Sequence, residues 1–492
     1  MAQGHIIPMM DIARLLAQRG AIVTIFTTPK NASRFNSVLS RAISSGLQIQ
    51  LVQLHFPSKE VGLPEGCENV DMVSSNDMIY KIFLALNLLQ KPAEELFETL
   101  TPKPSCIISD FCIPWTLQVA DKYHIPRISF HGFGCFTLHC LHQIYSSKIC
   151  ENLTSESEYF IIPGIPDQIH VTKEQTPIMK SNSNEMDDFM EQLRDAEMKS
   201  YGVIINTFEE LEKAYVRDYK KVKNDKVWVI GPVSFCNKDD LDKAQRGNQA
   251  SINEHHCLKW LDLHQPKSVV YVCFGSLCNL IPSQLMELAL GLEDTKRPFV
   301  WVIREGNKFQ ELEKWISEEG FEERTKRRGL IIRGWAPQLL ILSHPAIGGF
   351  LTHCGWNSIL EGVSTGVPMV TWPLFADQFL NEKLVTQVLK IGVSVGAEVL
   401  MKWGEEEKIG VLVKKEKIKR AICMVMDDDG EESKDRRQRA CKLGEIAKRA
   451  VEKEGSSHVD MTLLIQEIMQ QSCKSEEPIK LMPKDSEFSC ST

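Results

Sequence analysis

Short, almost continuously apolar runs alternate along this chain with longer segments whose apolar residues recur at helical spacing. The first kind reads as a strand buried on both faces, the second as an amphipathic helix. Strands are expected at 21–28, 47–56, 106–110, 127–132, 201–208 and 227–233. Helices are expected at 8–20, 76–100, 117–124 and 135–149; in the first, Met9, Ile12, Leu15 and Leu16 form one stripe closed by Gly20. The rhythm returns further on, with strands at 268–276, 298–304, 331–335, 347–353 and 368–373 and helices at 282–294, 339–344 and 358–366. A helix is also expected from the stretch 384–392, and charged helices follow it.

Two intervals break this alternation. Residues 151–200 carry several prolines and many acidic side chains and read as loop plus helix. Residues 236–255 are polar, charged and poor in apolar groups, the composition of an interdomain linker. The fold class is therefore α/β, with Rossmann-like domains at 1–235 and 256–457, a final helix at 458–472 and a disordered tail at 473–492. A chain of 492 residues is too long for one core, which fits two such domains.

Composition narrows the function classes. A net charge of −8 offers no basic footprint, so no nucleic-acid partner is expected. No apolar run is long enough to span a membrane, and the first residues do not read as a secretion signal. The 15 cysteines are scattered without framework spacing, as reduced thiols in a cytoplasmic protein would be. His131, Cys135, His139 and Cys140 come nearest to a metal cluster but lack paired zinc-ligand spacing, so no metal is expected.

The chemistry concentrates between Trp335 and Gln378, WAPQLLILSHPAIGGFLTHCGWNSILEGVSTGVPMVTWPLFADQ. Here the turn His353–Ser358 joins the carboxyl end of a buried strand to the start of a helix. Free N–H groups and the helix dipole favour an anion there, a phosphate above all. Asn357 and Ser358 can add side-chain donors, and Glu361, one turn on, can accept from a ribose diol.

This stretch resembles the signature box of the plant family-1 UDP-dependent glycosyltransferases, and the similarity runs from Gln3 to about Gln471, closest to the branch that glucosylates cytokinins, steroids and flavonoids. The resemblance implies two facing Rossmann-like domains in the GT-B arrangement, working as a monomer without cofactor or metal. It implies that His5 is the general base and Asp110 its partner. Trp335 with Ala336 and Gln338 would hold the uracil, and Ser276 would make a second diphosphate contact. His353 would neutralise charge on the leaving UDP, while Trp356, Asp377 and Gln378 would bind the sugar. A glutamine at position 378 goes with UDP-glucose. The implied reaction is inverting transfer of glucose to a hydroxyl of a small lipophilic plant metabolite of flavonoid, triterpenoid, steroid or cytokinin type.

One feature departs from the family. The chain opens directly on MAQGHIIP, a motif that follows the first strand in relatives. Without that strand, two neighbouring strands are expected to lack a ladder partner. The alternative reading is thus a catalytically impaired nucleotide-sugar-binding protein. A dinucleotide-dependent oxidoreductase is disfavoured, because no G-x-G-x-x-G follows a strand with an acid further on.

Overall fold

The computed structural model describes residues 1–73, 75–176, 184–278, 280–304, 309–402 and 404–475. In the first half, β1 (Val23–Thr27) pairs in parallel with β2 (Ile49–Gln53). β3 (Ile107–Asp110) and β4 (Arg127–His131) are also parallel. A small antiparallel hairpin follows, β5 (Tyr159–Ile161) with β6 (His170–Thr172). β7 (Gly202–Ile205) and β8 (Val227–Val229) then extend the second group to β3-β4-β7-β8. Among the described residues, β1 has only β2 and β3 has only β4 as ladder partner, so the first half carries two separate parallel sheets.

The second half holds one parallel sheet. Its strands are β9 (Val269–Cys273), β10 (Phe299–Ile303), β11 (Gly329–Arg333), β12 (Ile347–Thr352), β13 (Met369–Thr371) and β14 (Gly392–Ser394). Their order in space is β11-β10-β9-β12-β13-β14. This is the doubly wound order, which reverses direction between β9 and β12 and opens a ligand crevice at their carboxyl ends. Val269, Val270, Tyr271 and Val272 are all buried, because helices cover both faces of the sheet and leave no wet side to alternate toward.

The structure departs from the sequence pattern in five places. The first helix spans Gln3–Gln18 and not 8–20, so GHIIP forms its opening turns and Pro8 lies inside it. The segment 76–100 is two helices, Asn76–Leu88 and Gln90–Thr99. The hairpin β5–β6 lies in the interval read as loop plus helix; its strands are too short to show alternation. The stretch 384–392 runs as a π-helical turn, Leu384–Val388, into β14, whose three residues are too few to register as a strand. Finally, residues 236–255 are not a solvated tether: they contain the helix Asp240–Ala244 and bury Asp242.

The last helix, Ser456–Ser475, closes over the first half. Its Met461 and Leu464 pack with Ile12, Ile128 and Ile230. Asp460 accepts from the Val229 amide at 2.9 Å, and Lys226 reaches Glu467 at 2.8 Å. The helix thus continues three residues into the expected tail, whose remainder lies outside the described residues. No described helix is long and apolar enough to cross a membrane.

Candidate active site

The crevice at the β9/β12 reversal is lined from one side by Gly275 and Ser276, just past β9, and from the other by His353, just past β12. Helix Trp356–Ser364 starts immediately afterwards, with its first N–H groups free for an anion. His353 is wedged between two glycines. A methyl group on Gly275 would stand 2.6 Å from its ring, and one on Gly355 would stand 2.4 Å away. Gly275 also has φ +71°, where only glycine is unstrained. Burial pushes the His353 pKa down to about 4 against the opposing Cys273 backbone. With that pKa the imidazole is neutral near pH 7.

Across the crevice, the first helix carries His5 to the carboxyl end of β3. His5 Nδ1 lies 2.6 Å from Asp110 Oδ2, and the Cys112 amide donates to Asp110 Oδ1 at 2.9 Å. Burial disfavours charge on both partners. The mutual attraction outweighs it, so the His5 pKa is held above 6.5 and that of Asp110 below 3.8. Asp110 therefore stays ionised and fixes Nδ1 as the protonated nitrogen, which leaves Nε2 free to accept a proton. Phe111 flanks the pair, its ring 5.8 Å from His5 and stacked at 4.5 Å on His131.

One cavity of about 2220 Å³ joins these two sides. It is lined by every expected catalytic and donor-binding residue except Asp110, which stands behind His5: His5, Ser276, Trp335, Ala336, Gln338, His353, Trp356, Asn357, Ser358, Glu361, Asp377 and Gln378. Towards the first half its wall turns apolar and aromatic, with Ile82, Phe83, Phe111, Phe133, Leu141 and Phe189.

Several of these side chains have partners that the sequence did not reveal. Glu361 was expected to accept from a ribose. Its two oxygens take hydrogen bonds from Arg246 and from Gln338 Nε2, the latter at 2.9 Å. Gln338 Nε2 also reaches Ser358 Oγ at 3.1 Å, so its amide is tied to the helix start. Trp356 was expected at the sugar. It is only 2 % exposed and donates its indole N–H to the Asn206 carbonyl at 2.8 Å, which makes it a contact between the two halves. Asn357 donates to the Gly4 carbonyl. Trp335 is pinned at its backbone by Ser251, and its ring lies against Gly247.

At the sugar end, Gln378 Oε1 accepts from the Leu374 and Phe375 amides at 2.8 and 3.1 Å, leaving its NH₂ group for a ligand. Asp377 is bonded by Asn381 at 2.6 Å, and burial raises its pKa to about 6.

Arg246 is the functional-site residue that pattern reading missed. It bridges Asp11 on the first helix, at 2.7 Å from Nε, and Glu361 on the second-half helix. Nothing in its polar neighbourhood separates a solvated arginine from one buried in a seam. The four residues weighed as a metal cluster are not gathered. Among the described residues the one such trio is His5, Asp110 and Cys112, with ligand atoms within 4.8 Å of one another.

Comparison with known proteins agrees with this geometry. Residues 243–426 match the family described as UDP-glucoronosyl and UDP-glucosyl transferase. UDP-glycosyltransferase 73C3 of Arabidopsis thaliana is 56 % identical over 471 residues, 96 % of this chain and 95 % of that protein. The Glycyrrhiza uralensis protein UGT73P12, solved with glycyrrhetinic acid 3-O-monoglucuronide, superposes with a TM-score of 0.88 at 37 % identity, covering 96 % of this chain and 95 % of that one. Arabidopsis thaliana UGT89C1, solved with UDP-L-rhamnose, gives 0.73 at 30 % identity, covering 95 % and 96 %.

Proposed function

The chain belongs to the plant family-1 UDP-glycosyltransferases, and from that premise we propose that it transfers glucose from UDP-glucose to a hydroxyl of a small lipophilic plant metabolite, with inversion. That it is a glycosyltransferase of GT-B fold follows from the family. The donor sugar and the acceptor are our reading.

The observation that carries it is the His5–Asp110 pair at 2.6 Å, opening onto the same cavity as the turn at His353–Ser358. The acceptor hydroxyl loses its proton to His5 Nε2 as its oxygen attacks the anomeric carbon. The bond from that carbon to the UDP oxygen breaks on the opposite face, and the electron pair leaves with UDP. The centre inverts through an oxocarbenium-like state. Asp110 stabilises the imidazolium formed. The dipole and free backbone N–H groups at the start of helix Trp356–Ser364, beside His353, stabilise the departing diphosphate. Glucose is supported by Gln378, whose free NH₂ faces the cavity beside Asp377. A relative solved with UDP-L-rhamnose shares this frame, so the choice of sugar rests on such side chains. The apolar wall suits flavonoid, triterpenoid, steroid or cytokinin-type acceptors, and a relative is solved with glycyrrhetinic acid 3-O-monoglucuronide.

The test is UDP-glucose-dependent product formation on a panel of those four acceptor classes. A β-glucoside of at least one is expected; no product from any, or transfer only from another UDP-sugar, would contradict the proposal. One observation favours a second reading, nucleotide-sugar binding without transfer: the first half is divided between β1 and β3. That reading predicts UDP binding and no product.

A further inference from the structure

Pro8 lies inside the first helix, and it has no amide hydrogen. The carbonyl one helical turn before it, that of Gly4, is therefore left without its helical donor. The second half of the chain supplies one: Asn357 Nδ2 donates to Gly4 O. Gly4 directly precedes His5.

Asn357 is in turn held by Asn206, at the end of β7. Asn206 is 3 % exposed and has every polar side-chain atom in use. Its Oδ1 accepts from the Val233 amide at 3.0 Å, and its Nδ2 donates to Asn357 Oδ1 at 3.3 Å. Its backbone carbonyl takes the Trp356 indole at 2.8 Å. The side-chain relay has a fixed direction. Val233 N–H can only donate, so Asn206 must present its oxygen there and its NH₂ to Asn357. Asn357 must then present its oxygen to Asn206 and its NH₂ to Gly4, whose carbonyl can only accept. Both amides are oriented by backbone groups at the two ends, not by chance.

We infer that Asn206 is a positioning residue for the transfer: through Asn357 it sets the start of the donor helix against the backbone of the base. His5 is then held twice, its ring by Asp110 from the first half and its backbone turn by Asn357 from the second. Transfer needs the acceptor oxygen, held at His5, and the anomeric carbon, held by the donor turn, in one line. Misplacement by about 1 Å costs roughly 10²-fold in such a step. This inference rests on reading His5 as the base and the 353–358 turn as the diphosphate site.

Asn206→Asp tests it with almost no change in shape. The carboxylate still accepts from Val233 but meets Asn357 with an acceptor. If Asn357 turns over to repair that contact, it faces Gly4 with its oxygen and loses the other end. The expected result is kcat lower by about 10²-fold, UDP affinity within about twofold of the parent and an unchanged acid limb of the pH–rate profile, since His5–Asp110 is intact. Asn206→Ala should repeat the kcat loss. Full kcat in Asn206→Asp overturns the inference. So does a loss of UDP affinity in proportion to kcat, which would mean that the donor turn itself had collapsed. His5→Ala run alongside separates the two readings: if it keeps full turnover, the base assignment has failed, and the positioning role falls with it whatever Asn206→Asp does.

Discussion

His5 and Asp110 are 105 residues apart in the chain and 2.6 Å apart in the structure. The opening turn of the first helix carries one and the carboxyl end of β3 the other to one crevice, and the ionised Asp110 holds the His5 ring in the tautomer that leaves Nε2 basic.

The pair predicts a pH profile. His5 acts only when neutral, so activity is lost as pH falls through its pKa, which Asp110 holds above 6.5 against burial. The acid limb of kcat/KM should therefore have its midpoint above 6.5. In Asp110→Asn burial is opposed only by the charge of Asp377, so the midpoint should move to lower pH while the plateau rate falls by about 10²–10⁴-fold. An acid limb that stays in place in that variant would separate it from this pair.

Donor binding should not depend on a protonated histidine. Burial keeps the His353 pKa near 4, so UDP-glucose affinity by calorimetry should not rise as pH falls from 8 to 5.5; Asp377, with a pKa of about 6, can only weaken sugar binding at the acid end. A tenfold loss of affinity as pH rises through about 6.5 would show that His353 binds the diphosphate as a cation. UDP-glucose is the right probe, because its phosphates do not titrate in this range.

The seam between the halves should be costly to break at Arg246. Its side chain is 8 % exposed and joins Asp11 to Glu361, themselves 4 % and 6 % exposed. Arg246→Ala takes the bridging cation from two buried carboxylates, leaving Glu361 with Gln338 and Asp11 with Asn237, Cys236 and the more distant Arg14, a loss of about 3–5 kcal/mol. Arg41→Ala removes a salt bridge to Asp242 whose arginine is far more exposed, at a cost of about 1 kcal/mol or less. Denaturant unfolding of the two variants compares them; equal midpoints would mean that the Arg246 bridge is not a structural tie.

Gly275→Ala should act on the donor side alone. The added methyl meets the His353 ring at 2.6 Å, and the backbone there has φ +71°. UDP affinity is expected to fall about tenfold or more while the His5 acid limb is unmoved, because a displaced His353 no longer lines the crevice. Unchanged UDP affinity would remove His353 from the donor site.

Much of this was legible in the chain. Apolar runs with no alternation located β3, β4, β7 and β9 to β13, because helices on both faces leave such strands nothing to expose. β14 and the β5–β6 hairpin went unread for a different reason: three residues do not make a period. The start of the first helix was misplaced because Pro8 looks like a helix beginning, whereas the structure uses its missing amide inside the helix. At the site, the resemblance named His5, Asp110 and the donor box, but not what each side chain is bonded to. Arg246, the partner of Glu361, sits in a stretch whose polarity suggested solvent, and Asn206, which takes the Trp356 indole, lies across the seam. Charges buried in pairs between domains and charges on an open linker have the same composition.

The most direct test of the central claim is glucosyl transfer by the parent protein and by His5→Ala, at saturating UDP-glucose with a productive acceptor. The parent should form the glucoside. His5→Ala should lose at least about 10²-fold in kcat and keep its UDP affinity, because His5 faces the donor turn without holding it. Turnover in the variant equal to that of the parent would contradict the assignment of His5 as the base and, with it, the mechanism.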